Sequence, residues 1–226
     1  MSGWDGFTET FLNGEVLARY LPSILGGVWV TVKLSLLIVV TGVVLGTALA
    51  CLRAYRIAPL SALIVVFADV FRSLPPLVLI LMGYFGLPNV GVTLSAFAVL
   101  FLILTLTLAA FTEEIVWAGI TATPKGQWEA SRSTGMGFSQ TLAWVVLPQA
   151  VRMVIPPLTN RAIAITKMTA LGSVIGVPDI LNQATTAQSF SGNASPLLLA
   201  SALYVLLFLP LVVASRHLEA RFAWKA

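Results

Sequence analysis

The sequence predicts an all-α integral membrane protein of about five transmembrane helices, and three observations carry that prediction. Hydrophobic residues make up 58% of the 226 and charged residues only 10%, against about a quarter charged in soluble chains. Polar side chains are therefore too few to cover a globule in water. The mean hydropathy is +0.94, and the apolar residues fall into blocks. A bilayer core takes roughly 20 residues of helix, so the length accommodates about five spans joined by short connections. It leaves no room for a dozen helices or a fused soluble enzyme domain.

Residues 21–52 form the first span, interrupted only by Lys33 in its outer third. Gly42 and Gly46 lie four apart in it. That spacing lets a neighbouring helix approach closely, and it also arises in any Gly-rich apolar span; both readings stand. The second span, 60–85, contains Asp69, Arg72 and Pro75-Pro76, and the proline pair breaks or kinks it. The third, 92–120, ends with Glu113 and Glu114. A polar loop occupies 121–146, and the fourth span, 147–177, is unusually polar, with Pro156-Pro157, Asn160, Arg161 and Lys167; the proline pair is expected to break the helix and leave unwound backbone just before Arg161. Residues 178–195 are rich in Asn, Gln, Ser and Thr and read as an external loop. Residues 196–215 make the fifth span, followed by a short basic tail. With no long repeat, 1–226 reads as one helical transmembrane domain.

Basic residues in short loops stay on the cytoplasmic side. With the N-terminus outside, the inner segments hold Arg53, Arg56, Lys125, Arg132, Arg216, Arg221 and Lys225, and the outer ones only Arg19. The expected topology is N-terminus outside and C-terminus cytoplasmic, with the 121–146 loop on the inner side. Residues 1–20 carry Asp5, Glu9 and Glu15 and no basic n-region, so they do not read as a secretory leader. The first helix serves as its own insertion signal.

Several chemistries are excluded. The lone Cys51 and lone His217 provide neither a disulfide framework nor a Cys/His metal cluster. The net charge of +4 is carried by scattered single cations, without the basic run or interleaved aromatics of a nucleic-acid surface. Trp4, Trp29, Trp117, Trp128, Trp144 and Trp224 fall near interfaces, where amphipathic rings collect, and none is assigned to a ligand. No G-x4-G-K-[ST] string occurs, so the chain has no phosphate-cradling loop of its own.

Within the polar loop, Thr123 can cap a helix with Pro124 in its first turn. That helix runs through Gln127, Trp128 and Glu129 to Thr134, and Gly135 or Gly137 ends it. A second short helix, Phe138 to Trp144, then leads to Leu147-Pro148.

Glu129-Ala130-Ser131, Gly135 three residues later and Val145-Val146-Leu147-Pro148 nine after that resemble the E-A-A-x3-G-x9-I-x-L-P loop of binding-protein-dependent ABC importer permeases. The flanking P-K-G-Q-W and L-P-Q-A-V-R-M-V-I-P-P-L-T-N strings agree. Resemblance to the polar amino acid branch extends to Gly27–Ser35, Phe71–Pro75 and Gly172–Pro178. It implies a bacterial inner-membrane permease without a catalytic site, metal or cofactor of its own. Its expected partners are ATPase subunits that hold ATP and Mg, an extracytoplasmic solute-binding protein, and a second permease, identical or homologous. It also implies that loop 121–146 couples to the ATPase, with Glu129 at the contact and Ala130 and Gly135 keeping the bend compact. Ser131 replaces a second alanine.

Charges inside a bilayer cost a few kcal/mol each, so Glu113, Glu114, Arg161 and Lys167 require partners or a wet cavity. Asn160 and Lys167, seven apart, share a helix face, with Thr159 and Thr166 on the next stripe. The candidate substrate path is Asn160, Arg161, Thr166, Lys167 and Glu114; the alternative is that these groups sit in ion pairs or snorkel to an interface. Many relatives read P-P-L-T-N-E and K-D-T-S-L where this chain has Arg161 and Met168. With fewer acids and two cations, such a cavity favours a ligand carboxylate, unless a partner permease supplies the missing acids. Two other functions compete. An ATP-independent channel or secondary carrier suits the intramembrane charges but leaves the loop without a role and shows no inverted repeat. A membrane enzyme would use Glu113 and Glu114, which point about 100° apart on a helix.

Overall fold

The computed structural model describes residues 3–222, with side chains described as far as Ala220. Trp224, Lys225 and the side chain of Arg221, which entered the expectations above, lie outside them. The structure is 89% helix, and no strand occurs among the described residues. In chain order the α-helices are α1 Gly3–Phe11, α2 Gly14–Ala54, α3 Ala58–Ser73, α4 Pro76–Leu81, α5 Ala96–Ala122, α6 Lys125–Ser133, α7 Phe138–Thr141, α8 Leu147–Lys167, α9 Ile180–Ser191 and α10 Ser195–Phe222.

Among the described residues, four stretches are long and apolar enough to cross a bilayer: Gly3–Ala54, Ala96–Ala122, Phe138–Ile175 and Ser195–Ala220. A fifth appears if Ala58–Ser73 and Pro76–Val90 are counted together, although they diverge by 103°. The break expected at Pro75-Pro76 thus divides the 60–85 span into two arms. Pro75-Pro76 stand at the corner because proline supplies no N–H to carry the helix through, and the preceding residue is pushed out of the helical region. Leu74 accordingly has ψ 137°.

Three further differences have local causes. First, the helix of the fourth span does not begin at Leu147. Helix is continuous from Phe138, through a π turn at Leu142–Val146. The other π turn, Met82–Gly86, also leads straight into a Leu-Pro pair, Leu87-Pro88. A proline ring collides with the carbonyl four residues back, and a wider turn moves that carbonyl aside. Second, Pro156-Pro157 do not unwind α8, which runs through them. Proline's fixed φ near −65° is itself helical, so the pair forfeits donors without turning the chain. The irregular part is the 3-10 stretch Met168–Ile175. Third, the 178–195 segment, expected as a loop, holds helix α9. Asp179 caps it by accepting from the Asn182 N–H at 2.8 Å, and Gly192 ends it at φ 65°.

The chain divides into two compact units. The first comprises Met1–Ile38, Leu77–Ile103 and Ile165–Leu211; Ile24, Ile180, Ala184 and Ala200 form a core within it, flanked by Tyr20, Leu203 and Tyr204. Asp179 is fully buried there, and its Oδ2 has no hydrogen-bond partner. It lies between the fourth and fifth spans, and burial raises its carboxyl from the ordinary 3.8 to about 6. The second unit comprises Val39–Pro76, Leu104–Ala164 and Val212–Ala226, with a core of Ala50, Val116, Ile120, Leu142, Val146 and Ala150. Gly42 and Gly46 belong to it. A Cβ on Gly46 would collide with the Ala109 carbonyl and Thr112, and one on Gly42 would lie 2.9 Å from Leu108. The four-residue spacing serves close packing on α5.

Candidate functional site

The loop predicted between the third and fourth spans folds as the short helix α6. Its cap is not Thr123: the Thr123 hydroxyl donates back to the Gly119 carbonyl at 3.1 Å and Pro124 occupies the cap position. A buried threonine at the end of α5 finds that carbonyl nearer than any N–H of α6. The other end is as expected, with Gly135 at φ +88° after Ser133 and its N–H donating to the Arg132 carbonyl at 3.0 Å.

One face of α6 is fixed to the second unit. Trp128 stacks on Phe138 with centroids 5.4 Å apart, Phe138 meets Tyr55 at 5.0 Å, and the Tyr55 hydroxyl lies 2.9 Å from Ser139 Oγ. Ser131 is buried, its Oγ 3.2 Å from Thr141 Oγ1 and 3.0 Å from the Trp128 carbonyl. The opposite face, with Glu129 and Ala130, is exposed. Ala130 therefore does not pack the bend; Ser131 does, because it lies on the Trp128 side of the helix. The result is a rigid arm that presents a carboxylate and a small residue outward.

The charges within the spans are paired and stacked. Arg53 donates to the fully buried Glu113 at 3.0 Å, and its guanidinium lies 4.6 Å from the centre of the Trp117 ring. Arg72 pairs with Glu114 at 2.5 Å and approaches Asp69 at 3.7 Å. Adjacent on α5, the two glutamates thus take different partners. Arg161 forms no ion pair among the described residues. Its guanidinium rests 3.8 Å over the Phe111 ring, with Arg72 at 5.8 Å from the same ring. Such cation–π stacking contributes about 0.5–2 kcal/mol depending on desolvation.

The Asn160–Lys167 stripe is directed at α10. Asn160 donates to Glu219 at 2.8 Å, and exposed Lys167 has its Nζ 5.9 Å from the Phe208 ring. Thr166 is buried. Within the second unit the structure brings Arg161 together with Phe111 and Arg72, and Arg72 with Glu114; Asn160 goes to the C-terminal helix instead. Arg53, Arg72 and Phe111 were missed as site residues from sequence. Arg72 had a signal, three residues after Asp69 on one helix face, whereas the Arg53 and Phe111 contacts depend on how helices pack.

Several helices apolar enough to span a bilayer, with ion pairs inside them and a short helical arm between two of them, define a multi-pass membrane protein. Residues 20–224 match the family described as binding-protein-dependent transport system inner membrane component, and the chain belongs to that family. It is 32% identical over 212 residues to the "Probable glutamine ABC transporter permease protein GlnP" of Bacillus subtilis (strain 168), covering 92% of this chain and 97% of the relative. It is 31% identical to the "Arginine transport system permease protein ArtQ" of the same organism, over 88% and 92% of the two chains. A solved structure, "Crystal structure of an amino acid ABC transporter with histidines", superposes with a TM-score of 0.82 at 32% identity, covering 91% of this chain and 96% of that one. Membership implies ATPase and substrate-binding partners.

Proposed function

We propose that this chain is the membrane-spanning subunit of an ABC importer that moves a polar amino acid, or an amino-acid-like solute, into the cytoplasm of a bacterium. The importer lies in the inner membrane with the N-terminus of the chain outside and the C-terminus inside. ATP and Mg are bound and ATP is hydrolysed on separate ATPase subunits, an extracytoplasmic binding protein delivers the solute, and a second permease, identical or homologous, completes the path. The observation that carries this reading is α6. Force applied at exposed Glu129 passes through Trp128, Phe138 and Tyr55 and through Ser131 to Thr141 into the spans, and Gly135 gives the arm a defined end.

For the solute, Arg161 is the group to consider. It is a half-buried cation without a carboxylate partner, supported by Phe111 beside the Arg72–Glu114 pair. A ligand carboxylate there gains a charge-assisted hydrogen bond, so acidic or neutral polar amino acids are preferred over cationic ones. Thr166 and Lys167, later in α8 and in the first unit, are kept as separate candidates. The deciding experiment reconstitutes the permease with its ATPase and binding protein in vesicles. Uptake must require internal ATP; uptake that persists after ATP depletion would instead indicate a carrier.

A further inference from the structure

A cavity of about 290 Å³ lies beside α6, bordered by Arg56, Trp117, Lys125, Trp128 and Phe138, with Glu129 at its edge. Its size is at the lower edge of small-ligand sites, about 300–1,000 Å³. Arg56 and Lys125 form no ion pair with any described residue, and Glu129, although it borders the cavity, lies within 4 Å of neither. Thr121 and Thr123 also line it, but their hydroxyl protons are given to carbonyls of α5. The donors left for a ligand are the two cations and the indole N–H groups of Trp117 and Trp128. Arg56 is the single non-glycine among the described residues at positive φ, 56°. A left-handed residue redirects the chain within one step, turning it from the end of α2 toward α3 beside the cavity.

The walls come from the ends of two spans, Ala54 at the end of α2 with Arg56 just after it, and Trp117, Ile120 and Thr121 at the end of α5 with Thr123 just after it. That is the depth of the lipid headgroups, where tryptophan and basic side chains collect. Two cations against one carboxylate leave a single positive charge. We infer that this cavity holds the phosphodiester of an anionic phospholipid, with Arg56 and Lys125 on the phosphate oxygens and Trp117 and Trp128 flanking the headgroup. A net charge of one selects a headgroup whose only charge is its phosphate, such as phosphatidylglycerol, over zwitterionic phosphatidylcholine. The bound lipid braces the arm against the Trp128–Phe138 stack. The inference depends on the spans lying in a bilayer and is independent of the solute carried.

The test is native mass spectrometry of the full-length permease–ATPase complex released from bilayers containing equal phosphatidylglycerol and phosphatidylcholine. Two interfacial cations predict roughly tenfold enrichment of phosphatidylglycerol among retained lipids. Lys125→Gln, at an exposed position, should lower it about threefold, and Arg56→Gln with Lys125→Gln should bring retention near parity. Arg216→Gln, in the C-terminal helix away from the cavity, should leave it unchanged. Equal retention of both lipids by the unaltered complex overturns the inference, as does equal loss of enrichment in Arg216→Gln. Displacement of the lipid by millimolar inorganic phosphate overturns it in favour of a soluble anion. Solute-stimulated ATP hydrolysis measured on the same samples separates this result from the transport function: hydrolysis without lipid selectivity rejects the lipid site alone.

Discussion

The two compact units treat buried charge in opposite ways. The second holds all three ion pairs found among the described residues, and three of its arginines lie near aromatic rings: Arg53 on Trp117, Arg161 and Arg72 on Phe111. The first buries one carboxylate, Asp179, half satisfied as a helix cap. A paired charge keeps its cost low only while its partner stays in place. A lone buried acid can lower its cost by taking up a proton. The second unit, which carries α6, is thus the one whose stability depends on charge geometry, and the first is the one that answers to pH.

The strongest way to break this contrast is to remove Arg53. Arg53→Met leaves Glu113 buried without its partner and should destabilise the protein by about 3–5 kcal/mol, read as a lower unfolding temperature in detergent. Arg53→Met with Glu113→Leu should recover most of that loss. If the single variant melts like the unaltered protein, the pair is not structural.

In the first unit the sign is set by Asp179. Its carboxyl is raised in the fold, from 3.8 to about 6, so the folded state binds the proton more tightly than the unfolded one. Stability is greatest below about pH 4 for this group and is lost as pH rises through 6, by on the order of 3 kcal/mol. Asp179→Asn keeps a good cap and should flatten the melting temperature between pH 4 and 7. A slope unchanged in Asp179→Asn assigns the dependence to other groups.

Smaller effects sharpen the comparison at the arm and in α8. Glu129→Lys reverses the exposed charge and Gly135→Val forces a branched residue into a left-handed position, about 1–2 kcal/mol unfavourable. Either should reduce solute-stimulated ATP hydrolysis roughly tenfold while membrane insertion stays normal; full stimulation in both removes α6 from the coupling role. Least of all, Arg161→Gln should lower uptake of acidic solutes by several-fold, within the range of one cation–π-supported contact. Lys167→Gln, exposed against Phe208 in the first unit, should change it less. Equal insensitivity of both, with cationic solutes preferred, makes the two cations structural.

The all-helical, membrane-spanning class and the α6 helix were legible in the sequence because they rest on local patterns: apolar blocks about 20 residues long, and Glu129 and Gly135 at fixed spacing. Helix α9 was equally local, with Asp179 and Gly192 at its ends, and was missed because its polar composition suggested a loop. What could not be read is tertiary. Nothing in the spacing says that Glu113 meets a residue 60 positions earlier, or that Asn160 reaches Glu219 rather than an open path. Pro156-Pro157 misled for a different reason: proline marks where a helix loses donors, and whether the chain turns there depends on the space around it.

The π turn at Leu142–Val146 has a consequence for how this chain tolerates change in length. A π turn carries one residue more than the α-helical turn it replaces, so deleting a residue there would leave an unbroken α-helix. The side chains of α8 would nearly keep their phase relative to α7, because the wide turn absorbs its surplus residue locally. The same deletion in the regular helix between Leu147 and Asn160 would rotate every later side chain by about 100°. Arg161 would then leave Phe111 and Asn160 would leave Glu219, although no residue at either contact had been altered. The surplus residue gives this turn a tolerance of loss that the regular helix after it lacks.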